Sequence, residues 1–288
     1  MPPTRRGSRF GPPGARSYDA VVAGDDGYLL DNRQAEAGAR LAALSTLFDP
    51  WTFRHLDDRG VGSGWRCWEV GAGGPGVPTW MAERVGPEGS VLVTDLDLSW
   101  MGDPDRHPFE ARVHDVGLDE APPGPFDLIH ARLVLVHVPR RREALAAMVG
   151  ALRPGGWLVV EDADPGLQPL TCIDEFGPEQ ALANKLRRDF RSLLVASGAD
   201  TGFGRTLPRS LREAGLVDVG ADAFFPVTGP ACTDLERATV AQMRGRLVGA
   251  GLATDAEIDR HLAAVDAGGM DFATSPLISA WGRMPAPG

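Results

Sequence analysis

Cys67-Trp68-Glu69-Val70-Gly71-Ala72-Gly73-Gly74-Pro75-Gly76 is the stretch on which the reading of this chain turns. A short apolar run ends in an acid and then in a glycine-rich turn. Glycine tolerates φ > 0 and has no Cβ, so backbone at such a turn can come close to a nucleotide-like ligand. The following segment, Val77 to Val85, opens a helix whose first N–H groups face the same ligand. Gly71-x-Gly73-x-x-Gly76 matches the dinucleotide fingerprint literally. Glu69 departs from it, because a dinucleotide fold has a buried apolar residue two positions before the first glycine. A carboxylate there can accept hydrogen bonds from a cationic amino group or hold the loop.

Outward from this turn, short apolar runs alternate with helical segments. Residues 65–70, 90–94, 111–114, 126–130 and 157–161 read as strands, with helices at 77–85 and 139–152 between them. This alternation implies βαβ units and a parallel sheet. Leu152-Arg153-Pro154-Gly155-Gly156 stops a helix and turns the chain into the strand Trp157-Leu158-Val159-Val160. After residue 166 the pattern loosens into helices at 178–195 and 208–214. Two later helices carry the capping boxes Thr233-x-x-Glu236 and Thr254-x-x-Glu257. Strands at 217–225 and 276–283 finish the sheet, so no second mononucleotide-binding half follows residue 160.

Upstream, residues 1 to about 17 are rich in Gly, Pro, Arg and Ser and read as a mobile arm. Residues 33–48 form a helix with Leu41, Leu44 and Phe48 on one stripe. Asp49-Pro50 reads as an N-cap with proline at the first helical position. The short second helix that it opens carries Phe53 and Leu56 inward and places Trp51 and His55 together on another face.

The net charge of −10 argues against a sequence-independent grip on nucleic acid, which needs a basic face. No apolar stretch approaches bilayer-spanning length, and the N-terminal arginines have no apolar run behind them, unlike a secretory signal. The three cysteines are far apart and form no CxxC pair, which favours a reducing, cytoplasmic setting over a disulfide framework. The six histidines lack HExxH spacing, so no metal is expected.

Glu69-Val70-Gly71-Ala72-Gly73-Gly74 resembles the first motif of class I S-adenosylmethionine-dependent methyltransferases. Val93-Thr94-Asp95 resembles their acid-ended second strand, and Val113-His114-Asp115-Val116 their adenine-contacting segment. Phe126-Asp127-Leu128-Ile129-His130-Ala131-Arg132 resembles the fourth strand and its exit loop, and Leu152 to Gly156 the turn before the fifth. The five motifs stand in order over about residues 65 to 165. Pro75 is the departure, standing where this group often has glycine. The resemblance implies a doubly wound, Rossmann-like α/β fold with a seven-stranded sheet, six strands parallel and one antiparallel. It implies an N-terminal arm and helical cap over 1–60. The cofactor-binding core would span 61–288, with acceptor-side insertions near 167–200 and 228–272.

The same resemblance implies S-adenosylmethionine as cofactor, with Gly71, Gly73 and Gly76 in its loop. Asp95 would accept both ribose hydroxyl hydrogens, Asp115 the adenine amino group, and the Val116 N–H would serve a ring nitrogen. Glu69 and the carbonyls near His130 would face the methionine amine.

The sulfonium brings an activated methyl group, so the protein must align the acceptor, exclude water and, where needed, take a proton. Residues 18–60, 162–200 and 225–275 would build the acceptor pocket. Among Asp25, Tyr28, Glu36 and His55, His55 would remove the acceptor proton, Glu36 orient it, and Tyr28 position substrate or cofactor. His130 and His137 are competing bases, and Glu161, Asp162 and Asp164 lie at the carboxyl end of the fifth strand. The N-terminal segments resemble the subgroup that methylates indole C3 of tryptophan-derived metabolites, so the expected acceptor is a small aromatic molecule. Trp51, Phe176, Phe190, Phe224 and Phe225 are candidates to wall it. Alternatives are O- or N-methylation of another natural product, an NAD-dependent oxidoreductase on the same loop, and a cofactor-binding regulator without turnover. A homodimer is left open.

Overall fold

The computed structural model describes residues 29–30, 34–103 and 106–287. Seven strands form one sheet: β1 (Arg66–Val70), β2 (Ser90–Asp95), β3 (Glu110–Val113), β4 (Phe126–Arg132), β5 (Leu152–Ala163), β6 (Val217–Phe224) and β7 (Leu277–Arg283), in the order β3-β2-β1-β4-β5-β7-β6. All neighbours pair in parallel except β7, which runs antiparallel to both β5 and β6. This is the doubly wound sheet that the alternation implies. The winding direction reverses between β1 and β4, so a crevice opens at their carboxyl ends.

The central strands carry apolar side chains on both faces because helices cover both. Side chains alternate along each strand. Trp68, Val70, Ile129, Ala131, Leu158 and Val160 pack with Ala144, Leu145 and Met148 of α3 (Arg141–Gly150) and Leu207 and Leu211 of α5 (Leu207–Glu213). On the other face Cys67, Val91, Val93, Leu128 and Val159 meet Val77, Met81 and Val85 of α2 (Gly76–Val85) and Leu56 of α1 (Ala35–Asp58).

Helix α1 corrects the expectation of two helices, since it runs unbroken through Pro50. A proline inside a helix costs about 3 kcal/mol through its missing N–H and ring clash. The cost is offset by the side chains around it. Leu56 is wholly buried in the sheet-side core, and Asp49 and Thr52 are hydrogen-bonded across the sheet top.

The remaining helices are α4 (Pro178–Ala196), α6 (Pro230–Gly249) and α7 (Asp255–Ala267), which share Leu182, Leu186, Leu193, Val240, Met243, Leu247 and Ile258. Helix α1 joins this layer through Arg40, whose Nε donates to Gln242 Oε1 at 2.9 Å. The box at Thr254 forms: Glu257 N–H donates to Thr254 Oγ1 at 3.2 Å and Thr254 N–H to Glu257 Oε2 at 2.8 Å. The box at Thr233 does not. Helix α6 starts earlier, at Pro230 after Gly229, so Glu236 falls in its interior. Glu236 is spent on Arg187 at 2.7 Å, Thr171 at 3.0 Å and His261 at 3.1 Å.

Candidate cofactor and active site

Where β1 ends, Gly71 and Gly73 take left-handed φ values of 65° and 64°. Gly71 N–H donates to the Thr94 carbonyl at 2.6 Å, and Gly73 N–H donates to Asp95 Oδ2 at 2.8 Å. A Cβ at Gly71 would strike Val134, so sterics and dihedral both require glycine there. Pro75 does not disturb the loop: it precedes the first turn of α2 with φ −82°, and its carbonyl accepts Thr79 N–H at 2.9 Å.

Asp95 closes β2, buried and facing the loop. Besides Gly73, it takes Asp97 N–H on Oδ1 at 3.0 Å. Burial pushes its carboxyl above the ordinary value, against the pull of these backbone N–H bonds. An ionised carboxylate has about four lone-pair positions, so each oxygen keeps capacity for a further donor such as a ribose hydroxyl. The Asp95 carbonyl accepts His114 N–H at 2.9 Å, which brings the β3 exit beside it. In that exit Asp115 turns back on itself: Oδ1 accepts Gly117 N–H at 2.8 Å and its N–H donates to Asp119 Oδ2 at 2.8 Å. The Val116 side chain is buried in the core of the sheet. The structure thus brings the loop, Asp95 and the 115–116 turn together at one end of the sheet.

Beside the loop lies a buried polar row. Glu69 on β1, His130 on β4, Glu161 on β5, Ser279 on β7 and Asp222 on β6 share one face of the sheet, and α1 lays His55 and Thr52 over them. Glu69 Oε2 meets His130 Nδ1 at 2.6 Å, and His130 Nε2 meets Glu161 Oε2 at 3.3 Å. Glu161 Oε1 meets His55 Nδ1 at 3.0 Å and accepts from Ser279 Oγ at 2.7 Å, while Thr52 Oγ1 donates to the other oxygen. His55 Nε2 ends the row against Asp222 Oδ1 at 2.9 Å. Burial alone would lower the His130 imidazole. The Glu69 charge and the hydrogen bonds of both glutamates outweigh it and lift it to about 9. Burial raises Glu161 in turn, but the hydrogen bonds from His130 and His55 dominate and hold it well below the carboxylate range. Glu69 stays raised, burial exceeding the help of His130.

These contacts revise several expectations. His55 and Glu36 are not partners: they lie about five turns apart, roughly 28 Å along one continuous helix, and Glu36 is exposed. The partners of His55 are Glu161 and Asp222, and its ring is 1% exposed. One Glu69 oxygen is engaged by His130. Asp25 and Tyr28 lie outside the described residues. His137 is driven down to about 4 by burial and by the guanidiniums of Arg40 and Arg141. Asp162 turns to the opposite face, where burial pushes its carboxyl well up. Asp164 is clamped by Arg205, whose Nε donates at 2.7 Å.

Trp51 stacks on Phe224 with ring centroids 4.8 Å apart, and Phe48 meets the same ring edge-on at 6.1 Å. Phe190 belongs to the α4–α6 layer and Phe176 is exposed. Arg132, Thr52, Ser279 and Asp222 were not among the expected site residues. For Arg132, Ser279 and Asp222 the signal in the sequence is a polar side chain recurring on one face of the strands; Thr52, on α1, carries no such signal.

Residues 68–158 match the family described as a methyltransferase domain. Methyltransferase str2 of Strobilurus tenacellus is 29% identical over 224 residues, covering 74% of this chain and 76% of that protein. Methyltransferase str3 of the same organism is 32% identical over 161 residues, covering 54% of this chain and 50% of that protein. Phosphoethanolamine N-methyltransferase 2 of Haemonchus contortus, solved with phosphomonomethylethanolamine and S-adenosylhomocysteine, shares the fold. Its TM-score is 0.52 at 13% identity, over 89% of this chain and 59% of that one. The matched core is a methyltransferase domain, and its fold is shared with an enzyme solved with S-adenosylhomocysteine. The residues present fit that ligand: a left-handed glycine loop and a strand-end carboxylate with free lone pairs face the same crevice.

Proposed function

We propose that the chain transfers the methyl group of S-adenosylmethionine to a small aromatic acceptor, with C3 of an indole as the narrowest form of that reading. The observation that carries the cofactor half is the Asp95–Gly73 hydrogen bond. It fixes the carboxylate against the loop, so that adenosine can be held by sugar and backbone at once. Asp95 holds the ribose, Asp115 and Val116 border the adenine, and the backbone of Gly71 to Gly76 faces the amino-acid end of the cofactor.

When bound, the cofactor supplies an electrophilic methyl group on sulfur. The chain's own task is to align the acceptor with it, and alignment of this kind can account for a large part of a rate enhancement. Helix α1 bears on this directly: Leu41 lies 3.1 Å from where a Cβ of Gly73 would stand, so α1 packs onto the loop. The aromatic acceptor draws its support from Trp51, Phe48 and Phe224, gathered where α1 meets the end of β6. In this reading His55 acts through Glu161, fastening α1 to the sheet beside Glu69.

The test is incubation of the purified protein with S-adenosylmethionine carrying a labelled methyl group and with indole, phenol and amine acceptors. Mass spectrometry and proton exchange at C3 then locate the new methyl. Methylation of indole carbon supports the narrow reading. Methylation of only oxygen or nitrogen acceptors replaces it with the corresponding alternative.

A further inference from the structure

One guanidinium stands next to the glycine loop. In the β1–β4 ladder Glu69 pairs with His130 and Val70 with Ala131, so Gly71, the first residue after β1, comes beside Arg132, the last residue of β4. The Arg132 side chain is only 10% exposed. It donates from one terminal nitrogen to Thr52 Oγ1 at 2.9 Å and from the other to Asp49 Oδ1 at 2.7 Å. The nearby arginines are engaged elsewhere: Arg40 and Arg54 of α1 with Gln242 and Asp222, and Arg59 at its C-cap over the ring of Trp281.

Asp49 is placed unusually for a helix residue. Its second oxygen, Oδ2, lies 2.5 Å from where a Cβ of Gly76 would stand. A carboxylate of the chain itself is therefore wedged between Arg132 and the last glycine of the loop. The cofactor ends its amino-acid portion in a carboxylate, and a guanidinium is the side chain best shaped to hold one.

Building on the reading of this loop as the S-adenosylmethionine site, we propose that Arg132 binds the carboxylate of the cofactor and that Asp49 is its internal competitor. Asp49 holds Arg132 and presses α1 onto the loop; the incoming carboxylate takes its place on the guanidinium. Arg132 therefore adds to affinity by as much as its pair with the cofactor carboxylate exceeds its pair with Asp49. The competition reduces apparent affinity by the fraction of molecules in which Arg132 is available. It also makes the site sensitive to the amino-acid end of the ligand. Adenosine-type ligands that lack this end, such as 5′-methylthioadenosine, gain nothing from Arg132 and lose nothing to Asp49.

The experiment is calorimetry of S-adenosylhomocysteine and 5′-methylthioadenosine against the wild type, Arg132→Gln, Arg132→Lys and Asp49→Asn. The expected result is a loss of about tenfold or more in S-adenosylhomocysteine affinity for Arg132→Gln, the scale of one charge-assisted pair, with 5′-methylthioadenosine changed less than about twofold. Arg132→Lys, which keeps the charge and serves if the glutamine variant does not fold, should lie between. Asp49→Asn should bind S-adenosylhomocysteine several-fold more tightly. Equal losses of both ligands in the Arg132 variants, or weaker S-adenosylhomocysteine binding by Asp49→Asn, overturns the proposal while leaving the cofactor reading intact. No heat from either ligand with the wild type overturns the cofactor reading and this proposal together.

Discussion

Glu161 and His55 meet at 3.0 Å with both side chains essentially out of solvent, one on the central sheet and the other on the helix that covers it. The contact is the middle of a row that passes from Glu69 beside the loop to Asp222 at the β6 edge. Removing the imidazole leaves a buried Glu161 oxygen without one of its hydrogen-bond partners, which costs about 1–3 kcal/mol. His55→Ala should therefore lose about that much stability in urea unfolding at neutral pH. A loss below about 1 kcal/mol would mean that water or Ser279 replaces the imidazole without penalty.

The row also sets a pH dependence. The His130 imidazole is raised in the folded chain to about 9, above its ordinary value of 6.5. A group raised on folding contributes stability that is fully present below its unfolded value and is lost as pH rises through the folded one. The wild type should become progressively easier to unfold between about pH 6.5 and 9, and His130→Gln should show a flatter profile over that window. Glu161, lowered on folding, acts at the other end: its contribution is present above 4.5 and is lost as pH falls below it. Chemical denaturation across the pH range, wild type against His130→Gln and Glu161→Gln, checks the two signs separately.

Two glycines of the loop should respond very differently to the same change. Gly71 has φ 65° and faces Val134, so Gly71→Ala adds both backbone strain and a collision. It should cost about 2 kcal/mol or more and abolish ligand binding. At Gly74 an added Cβ meets nothing within 4 Å, and Gly74→Ala should stay within about 0.5 kcal/mol of the wild type. Thermal melts of the two variants make the comparison.

The thiols should be silent in the native protein. Cys67, Cys172 and Cys232 are free and buried. Burial pushes all three thiols up, Cys172 to about 12. Since the thiolate is the reactive form, a disulfide reagent at neutral pH should titrate none of them within minutes. All three should react after denaturation. Rapid reaction of one thiol in the folded state would show that its segment opens.

The sheet was legible because its signals are local. Apolar runs such as Leu128-Ile129 and Val159-Val160, bounded by acids, glycines and prolines, announce strands within a few residues of their true ends. The acid-led glycine turn and Asp95 announce the ligand crevice. What was not legible depends on partners far away in the chain. Asp49-Pro50 has the local form of a helix start, and only the bonds of Asp49 and Thr52 to Arg132 explain why α1 continues through it. Thr233 and Glu236 have the spacing of a capping box. The helix begins at Pro230 instead, and Glu236 is claimed by Arg187 and His261. His55 stands out in the sequence, but its carboxylate partners stand 106 and 167 residues later, on strands that give no sign of facing it.

The most direct test of the account is titration of S-adenosylhomocysteine into the wild type and into Asp95→Ala by calorimetry, with NADH as the competing ligand. The wild type should give saturable heat with one ligand per chain, Asp95→Ala should bind at least about tenfold more weakly while still unfolding cooperatively, and NADH should give no heat. Saturable binding of NADH by a wild type that gives no heat with S-adenosylhomocysteine would contradict it.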